Sequence, residues 1–213
     1  MEELLNKQIL EWWHLLPDNL KGNMPTFIHP LNINADILFV GLNPSGDTSV
    51  KEPLTNISDI QIQEKIELET RAIFGEGASR EGQYKTYYAP LSDIADTLGV
   101  AFEHCDLFQM SFRTASVVVS ELFGSDKKLK PCHSKHLSVF KKIFDTVKPR
   151  LVITNNVISA KILKDLYSLK FDDVTGMYIS EQGTYFFLNG IMSYGRQTIF
   201  DKERLLWAVK KVL

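Results

Sequence analysis

Apolar runs of strand length alternate along this chain with amphipathic stretches of helical period. Asp36-Ile37-Leu38-Phe39-Val40-Gly41 is apolar at nearly every position. A strand with that pattern is buried on both faces, which predicts a parallel sheet with helices above and below it. Residues 103–110, 151–154 and 184–188 predict three more strands, with a weaker β segment near 176–180. Helical periodicity covers 2–15, 58–73, 87–98, 114–123, 132–147, 156–167 and 201–212. The first of these carries Leu4, Leu5, Ile9, Leu10, Trp12, Trp13, Leu15 and Leu16, and Pro17 ends it. The helix over 132–147 turns Leu137, Val139, Phe140, Ile143, Phe144 and Val147 inward. Gly99 suits a left-handed C-cap for the helix before it.

That alternation predicts an α/β fold with a doubly wound parallel sheet. No repeat or linker interrupts it, so residues 1–213 are expected to form a single domain. Right-handed crossovers bring the strands' C-terminal ends to one edge, where such sheets bind ligands. The loops 41–49, 109–114 and 189–197 are then expected to converge. The long polar stretch 45–85, with Phe74-Gly-Glu-Gly-Ala-Ser-Arg-Glu-Gly82 inside it, has the character of a functional lid.

Composition adds exclusions. Apolar residues make up 44% and charged residues 23% of 213, ordinary globular values. The acidic start Met1-Glu2-Glu3 has no apolar region behind it, and no run approaches ~18 apolar residues. No secretory leader, no membrane span and a cytoplasmic location are therefore expected. The only cysteines are Cys105 and Cys132. Cys132-His133 with His136 comes nearest to a metal cluster but falls short of the about four ligands zinc requires, so neither metal nor cofactor is expected. Net charge is −2, but Lys127, Lys128, Lys130, Lys135, Lys141, Lys142, Lys148 and Arg150 face only Asp145 over that span. This strip could track a phosphate backbone, or be a solvated helix face balanced by Glu64, Glu67 and Glu69.

Chemistry centres on Gly41-Leu42-Asn43-Pro44-Ser45-Gly46. It is no Walker loop, since no Gly-Lys-Ser/Thr follows, and Gly-x-Gly-x-x-Gly is absent. Gly41 and Pro44 suit a reversal at the strand's end, and Asn43 offers a carboxamide donor and acceptor there. The bland alternative is a turn and nothing more.

A buried strand ending in Gly-x-Asn-Pro-Ser/Gly resembles the first motif of the uracil-DNA glycosylase superfamily, closest to its mismatch-specific uracil/thymine and single-strand-selective branches. Tyr87-Tyr88-Ala89-Pro90 falls where that superfamily stacks an aromatic on the flipped base. His104 to Thr114 resembles its second-strand segment, and Lys148 to Thr154 its third strand with the lead-in. Ile191-Met-Ser-Tyr-Gly-Arg196 occupies the place of its DNA-wedging loop. The resemblance implies a three-layer α/β/α fold with a central four-stranded parallel sheet, a monomer, and DNA or a nucleobase-containing ligand as partner. It implies Asn43 as the catalytic, water-positioning residue, and Tyr88, Asp106, Leu42 and Gln109 against the base. Ser45, Arg113, Ser193, Tyr194 and Arg196 would meet DNA. The implied activity is hydrolysis of the N-glycosidic bond of a damaged or mismatched base.

Two departures stand out. The last motif lacks the family's Pro and His, leaving open a member that binds a nucleobase without cleaving it. Where the family carries asparagine, Asp106 as a carboxylate only accepts hydrogen bonds and suits a two-donor edge such as that of guanine. Asp106 could instead cap a turn or pair with Arg113. Of Tyr84, Tyr87 and Tyr88, one is expected in the core, and Trp12, Trp13 and Trp207 suit helix packing. Outside the family, the turn could serve a small-molecule α/β protein binding an anion.

Overall fold

The computed structural model describes residues 1–44, 52–75, 82–111, 115–125, 128–130, 133–190 and 198–213. Among these residues the strands are β1 (Ile37–Gly41), β2 (Phe102–Asp106), β3 (Leu151–Thr154), β4 (Lys170–Asp172), β5 (Met177–Ile179) and β6 (Tyr185–Phe187). The helices are α1 (Glu2–His14), α2 (Asp59–Phe74), α3 (Gly82–Leu98), α4 (Ala115–Leu122), α5 (Ser134–Val147), α6 (Val157–Leu166) and α7 (Ile199–Val209). The chain folds as two compact units interleaved in sequence. One comprises Met1–Leu31, Asn43–Thr70 and Asp106–Ile143; the other comprises Asn32–Leu42, Arg71–Cys105 and Phe144–Leu213.

The second unit is built on the sheet, in the order β2-β1-β3-β6-β5-β4. β1 pairs parallel with β3, Phe39 opposite Ile153, and β3 pairs parallel with β6, Ile153 opposite Phe187. Each of β1 and β3 has neighbours on both sides, and each is buried at every position, as its apolar sequence requires. Asp36 N–H donates to the Ala101 carbonyl, Leu151 N–H to that of Asp36, and Tyr185 N–H to that of Arg150. β2, β1, β3 and β6 therefore begin at one edge of the sheet and end at the other.

The fold is α/β, but the sheet is not the four-stranded parallel one expected. It is mixed and has six strands, because β5 pairs antiparallel with β6 and β4 antiparallel with β5. Gly183, at φ +86°, turns the chain between β5 and β6 too tightly for a helical crossover. β4 left no periodic signal, because it is a three-residue edge strand with Phe171 60% exposed. β2 stops at Asp106 rather than continuing to Met110. Leu107, Phe108 and Met110 are buried all the same.

One sheet face presents Ile37, Phe39, Leu151 and Ile153 to Leu91 and Ile94 of α3 and Leu205 and Val209 of α7. On β6, Phe186 meets Phe144 and Tyr167, with ring centroids 6.1 and 5.7 Å away. α7 starts at a full capping box between Thr198 and Asp201. Trp207, expected in helix packing, faces solvent instead, with the Lys211 ammonium 3.6 Å from its ring centre. The helix buries Leu205, Ala208 and Val209, leaving Trp207 on its outer side.

The first unit's core includes Leu5, Ile9, Trp12, Trp13, Phe27, Phe108, Phe140 and Ile143. Asn6 holds the incoming chain by both polar atoms: Nδ2 donates to the Ile28 carbonyl at 2.8 Å and Oδ1 accepts Ile28 N–H at 2.6 Å. Thr26 N–H donates to the Gln109 carbonyl at 2.8 Å. On α5, Lys135, Lys141 and Lys142 are exposed, the solvated face foreseen as one alternative. Glu69, taken with the surface acids, is buried at 8% exposure.

Candidate functional site

In the sheet-bearing unit, the ends of β1, β2 and β3 carry polar and aromatic groups. Leu42, just past β1, is buried. Tyr88 of α3 is half-buried, edge-on to Tyr87 at 4.8 Å and to His104 of β2 at 5.0 Å. Beyond β3, Asn155 is 2% exposed; its N–H donates to the Val40 carbonyl and its Nδ2 to the Tyr87 hydroxyl at 2.6 Å. Asn155 Oδ1 is sealed from water without a hydrogen-bond partner among the described residues. Thr154 Oγ1 donates to the Asn189 carbonyl at 3.0 Å and accepts Asn189 N–H at 2.8 Å, tying the end of β3 to the chain after β6. Asn156 then caps α6 by accepting Ile158 N–H.

The other unit holds Asn43, Asp106 and Gln109. Asn43 is half-buried, and its Nδ2 turns back on its own loop to donate to the Pro44 carbonyl at 2.7 Å. Asp106 is half-buried as a residue, but its Oδ1 is sealed and has no hydrogen-bond partner among the described residues. Burial first, and then the neighbouring Glu69 carboxylate, push the Asp106 carboxyl up to about 8. At neutral pH it is mostly a neutral acid. The Glu69 carboxyl is also raised by burial, against the pull of Lys65 Nζ at 3.1 Å, His29 and the Thr26 hydroxyl at 3.4 Å.

Gln109 is 1% exposed and donates from Nε2 to the Asp106 backbone carbonyl at 3.1 Å. Its backbone N–H lies 3.1 Å from His136 Nδ1, and its Oε1 lies 2.9 Å from the same nitrogen. If Nδ1 accepts, Nε2 carries the hydrogen; if Nδ1 donates, Nε2 keeps a lone pair. In both cases Nε2 is sealed without a partner. Burial, then His133, push His136 down to about 3, so the ring is neutral. Trp12 meets this imidazole edge-on at 3.9 Å. A cavity of about 400 Å³ beside it is lined by Gln8, Trp12, Gln109, Lys135, His136 and Lys142, among others.

Of the residues singled out in the sequence, Asp106 and Gln109 are joined directly by that hydrogen bond. Leu42 and Tyr88 belong to the sheet-bearing unit and Asn43 to the other. Ser45, Arg113, Ser193, Tyr194 and Arg196 lie outside the described residues, as does Cys132. Asn155 went unnoticed in the sequence, while Glu69 reads there as a balancing surface acid and His136 as part of the nearest approach to a metal cluster. Only Asn155 carried a usable signal there, an amide directly after a wholly apolar strand. Among the described residues no helix is long and apolar enough to cross a membrane, and no group of three or more His, Cys, Asp or Glu side chains could hold a metal ion. No family model matches this sequence, and no curated protein matches it.

Proposed function

We propose that this protein binds a nucleobase extruded from DNA and hydrolyses its N-glycosidic bond, as a divergent member of the uracil-DNA glycosylase superfamily with that family's three-layer α/β/α arrangement. The observation that supports it most is Asp106 at the end of β2, half-buried, with a sealed Oδ1 that has no hydrogen-bond partner among the described residues and a carboxyl that burial and then Glu69 push upward. A group with a strongly displaced pKa, at the strand end where open α/β sheets bind ligands, is a functional-site signature. In this reading, which follows the family resemblance, Asn43 orients water toward C1′ and Asp106 with Gln109 faces the base edge. The water oxygen bonds to C1′ as the C1′–N bond breaks; the base leaves with the electron pair, and the proton that the water gives up ends on the departing base. Donors aimed at the departing base stabilise that charge as it develops.

Single-turnover cleavage of single- and double-stranded oligonucleotides carrying uracil, a thymine mismatch, hypoxanthine or xanthine tests this. Release of one of these bases, slowed about 10²-fold or more by Asn43→Ala, is the expected result. Cleavage that Asn43→Ala leaves undiminished would remove that residue from the mechanism. Met192-Ser193-Tyr194-Gly195-Arg196, with neither Pro nor His, favours a second reading in which the base is bound and not cleaved. Steeply salt-dependent binding without product would select it. Binding that is absent even at low salt points to the cavity beside Trp12 and His136, whose volume is that of a small-molecule pocket.

A further inference from the structure

We propose that the open edge of β4 is a docking surface for a second copy of this chain, the two β4 strands pairing antiparallel about a twofold axis at Phe171. Such a dimer is independent of the nucleobase-binding reading, and it differs from the monomer that the family resemblance implies.

β4 closes one end of the sheet, and among the described residues β5 is its one strand neighbour. The Asp172 carbonyl accepts Gly176 N–H at 2.9 Å, so it turns toward the β4–β5 hairpin. On the far side of that hairpin, Ser180 N–H donates to the Thr184 carbonyl at 3.0 Å and so faces the chain entering β6. Backbone groups alternate between the two sides along an antiparallel strand. Tyr178 therefore bonds toward β6, and Phe171, directly opposite Tyr178, exchanges no backbone bonds with it. Both relations turn the N–H and C=O of Phe171 to the open edge, where they can bond to the same groups of a second Phe171.

The side chains fit that twofold. Pairing about Phe171 sets Lys170 of each copy opposite Asp172 of the other, twice over. A parallel pairing in register sets Lys170 beside Lys170 instead. Lysine on an edge strand ordinarily blocks strand addition; here the antiparallel register answers it with a carboxylate. Asp172 keeps its charge, because the Thr175 hydroxyl, donating at 2.6 Å, holds the carboxyl below its ordinary range. Phe171 lies edge-on to Tyr178 at 5.4 Å, and a second Phe171 extends that aromatic pair across the axis. Near the same edge, Lys211 Nζ stands over the exposed Trp207 ring and donates to the Val174 carbonyl of the hairpin turn at 3.1 Å. A three-residue ladder with flanking side chains is a small interface, so dimerisation is expected in the micromolar range.

Sedimentation velocity of the full chain from about 1 to about 300 µM tests this. The expected result is a monomer–dimer equilibrium, weakened about tenfold or more by Lys170→Glu, which sets like charges opposite each other twice, and by Phe171→Lys. Position 171 faces itself across the axis at the ~5.5 Å Cα separation of a hydrogen-bonded pair. On oxidation Phe171→Cys is therefore expected to join two chains through residue 171, mapped by mass spectrometry, and Lys170→Cys is not. Monomers at every concentration overturn the proposal and leave the edge to an extended strand of another protein. A dimer that Lys170→Glu and Phe171→Lys leave as tight as wild type overturns it, as does oxidation that joins position 170 as readily as 171.

Discussion

A carboxyl with one oxygen sealed and no partner costs less to keep protonated than to ionise, and this has a thermodynamic signature independent of any ligand. Asp106 has a folded-state pKa raised above its unfolded value of about 3.9, so its contribution is fully favourable below that value. It is lost as pH rises through about 8. Asp106→Asn keeps the shape and removes the ionisation. It is expected to leave stability nearly unchanged at pH 5 and to raise it at pH 9 by ~1–3 kcal/mol, read from urea midpoints. Destabilisation at pH 9 would mean that the charged form is held by a partner. The sequence made this residue legible as a departure from asparagine but gave its role as a carboxylate. Its protonation depends first on burial and then on Glu69, which lies far away in the chain and passed for a surface acid. His136 shows the same limit: it stands on the apolar stripe of α5, and only the fold brings Gln109 against it.

At the scale of elements, the long apolar strands and amphipathic helices could be read from periodicity because burial on both faces, or on one, leaves a period in the sequence. β1, β3 and α5 lie within a residue or two of their expected bounds. β4 could not be read, since an exposed three-residue edge strand has no such imprint. The β5–β6 antiparallel pairing turns on Gly183, whose conformation, unlike its identity, is invisible until the strands are paired. Caps make these elements testable. Gly99 closes α3 at φ +67°, and a methyl added there meets nothing within 4 Å. Gly99→Ala therefore pays only for the backbone and is expected to cost about 1 kcal/mol. Gly190, not at positive φ, would place its methyl in ordinary contact with Val157 at 3.7 Å, so Gly190→Ala is expected to be nearly neutral. Thr198→Ala removes half of the α7 capping box and is expected to cost ~1 kcal/mol in the same denaturation experiment.

Across the whole molecule, the displaced titrations are unevenly shared between the two units. Asp106, Glu69 and His136 all belong to the unit containing α1. In the sheet-bearing unit, the Tyr167 phenol is pushed above its ordinary range by burial and so stays protonated near neutrality. Hydrogen bonds hold Asp172 and Asp201 in the same unit low, and they act only in acid. The signs oppose one another in the first unit. Asp106 and Glu69 hold protons in the folded state that the unfolded chain releases, so they draw stability down as pH rises. His136, with a folded value of about 3 against an unfolded 6.5, refuses a proton that the unfolded chain binds, so it draws stability down as pH falls below 6.5. Between about 4 and 6.5 the raised Asp106 and Glu69 on one side and the lowered His136 and His133 on the other offset one another. Above 6.5 the histidine term is spent, and the acids alone govern until Asp106 has ionised near 8. Below about 4 the histidines govern, reinforced by Glu2 of the same unit, whose carboxyl backbone hydrogen bonding holds low. Stability of the α1-bearing unit is therefore expected to be greatest on the acid side of neutrality and to fall between pH 6.5 and 8. Hydrogen exchange at the amides of Leu5, Trp13 and Phe140, corrected for intrinsic rates, reads this unit directly. Protection that rises from pH 6.5 to 8 would show that the buried acids carry their charge in the folded protein.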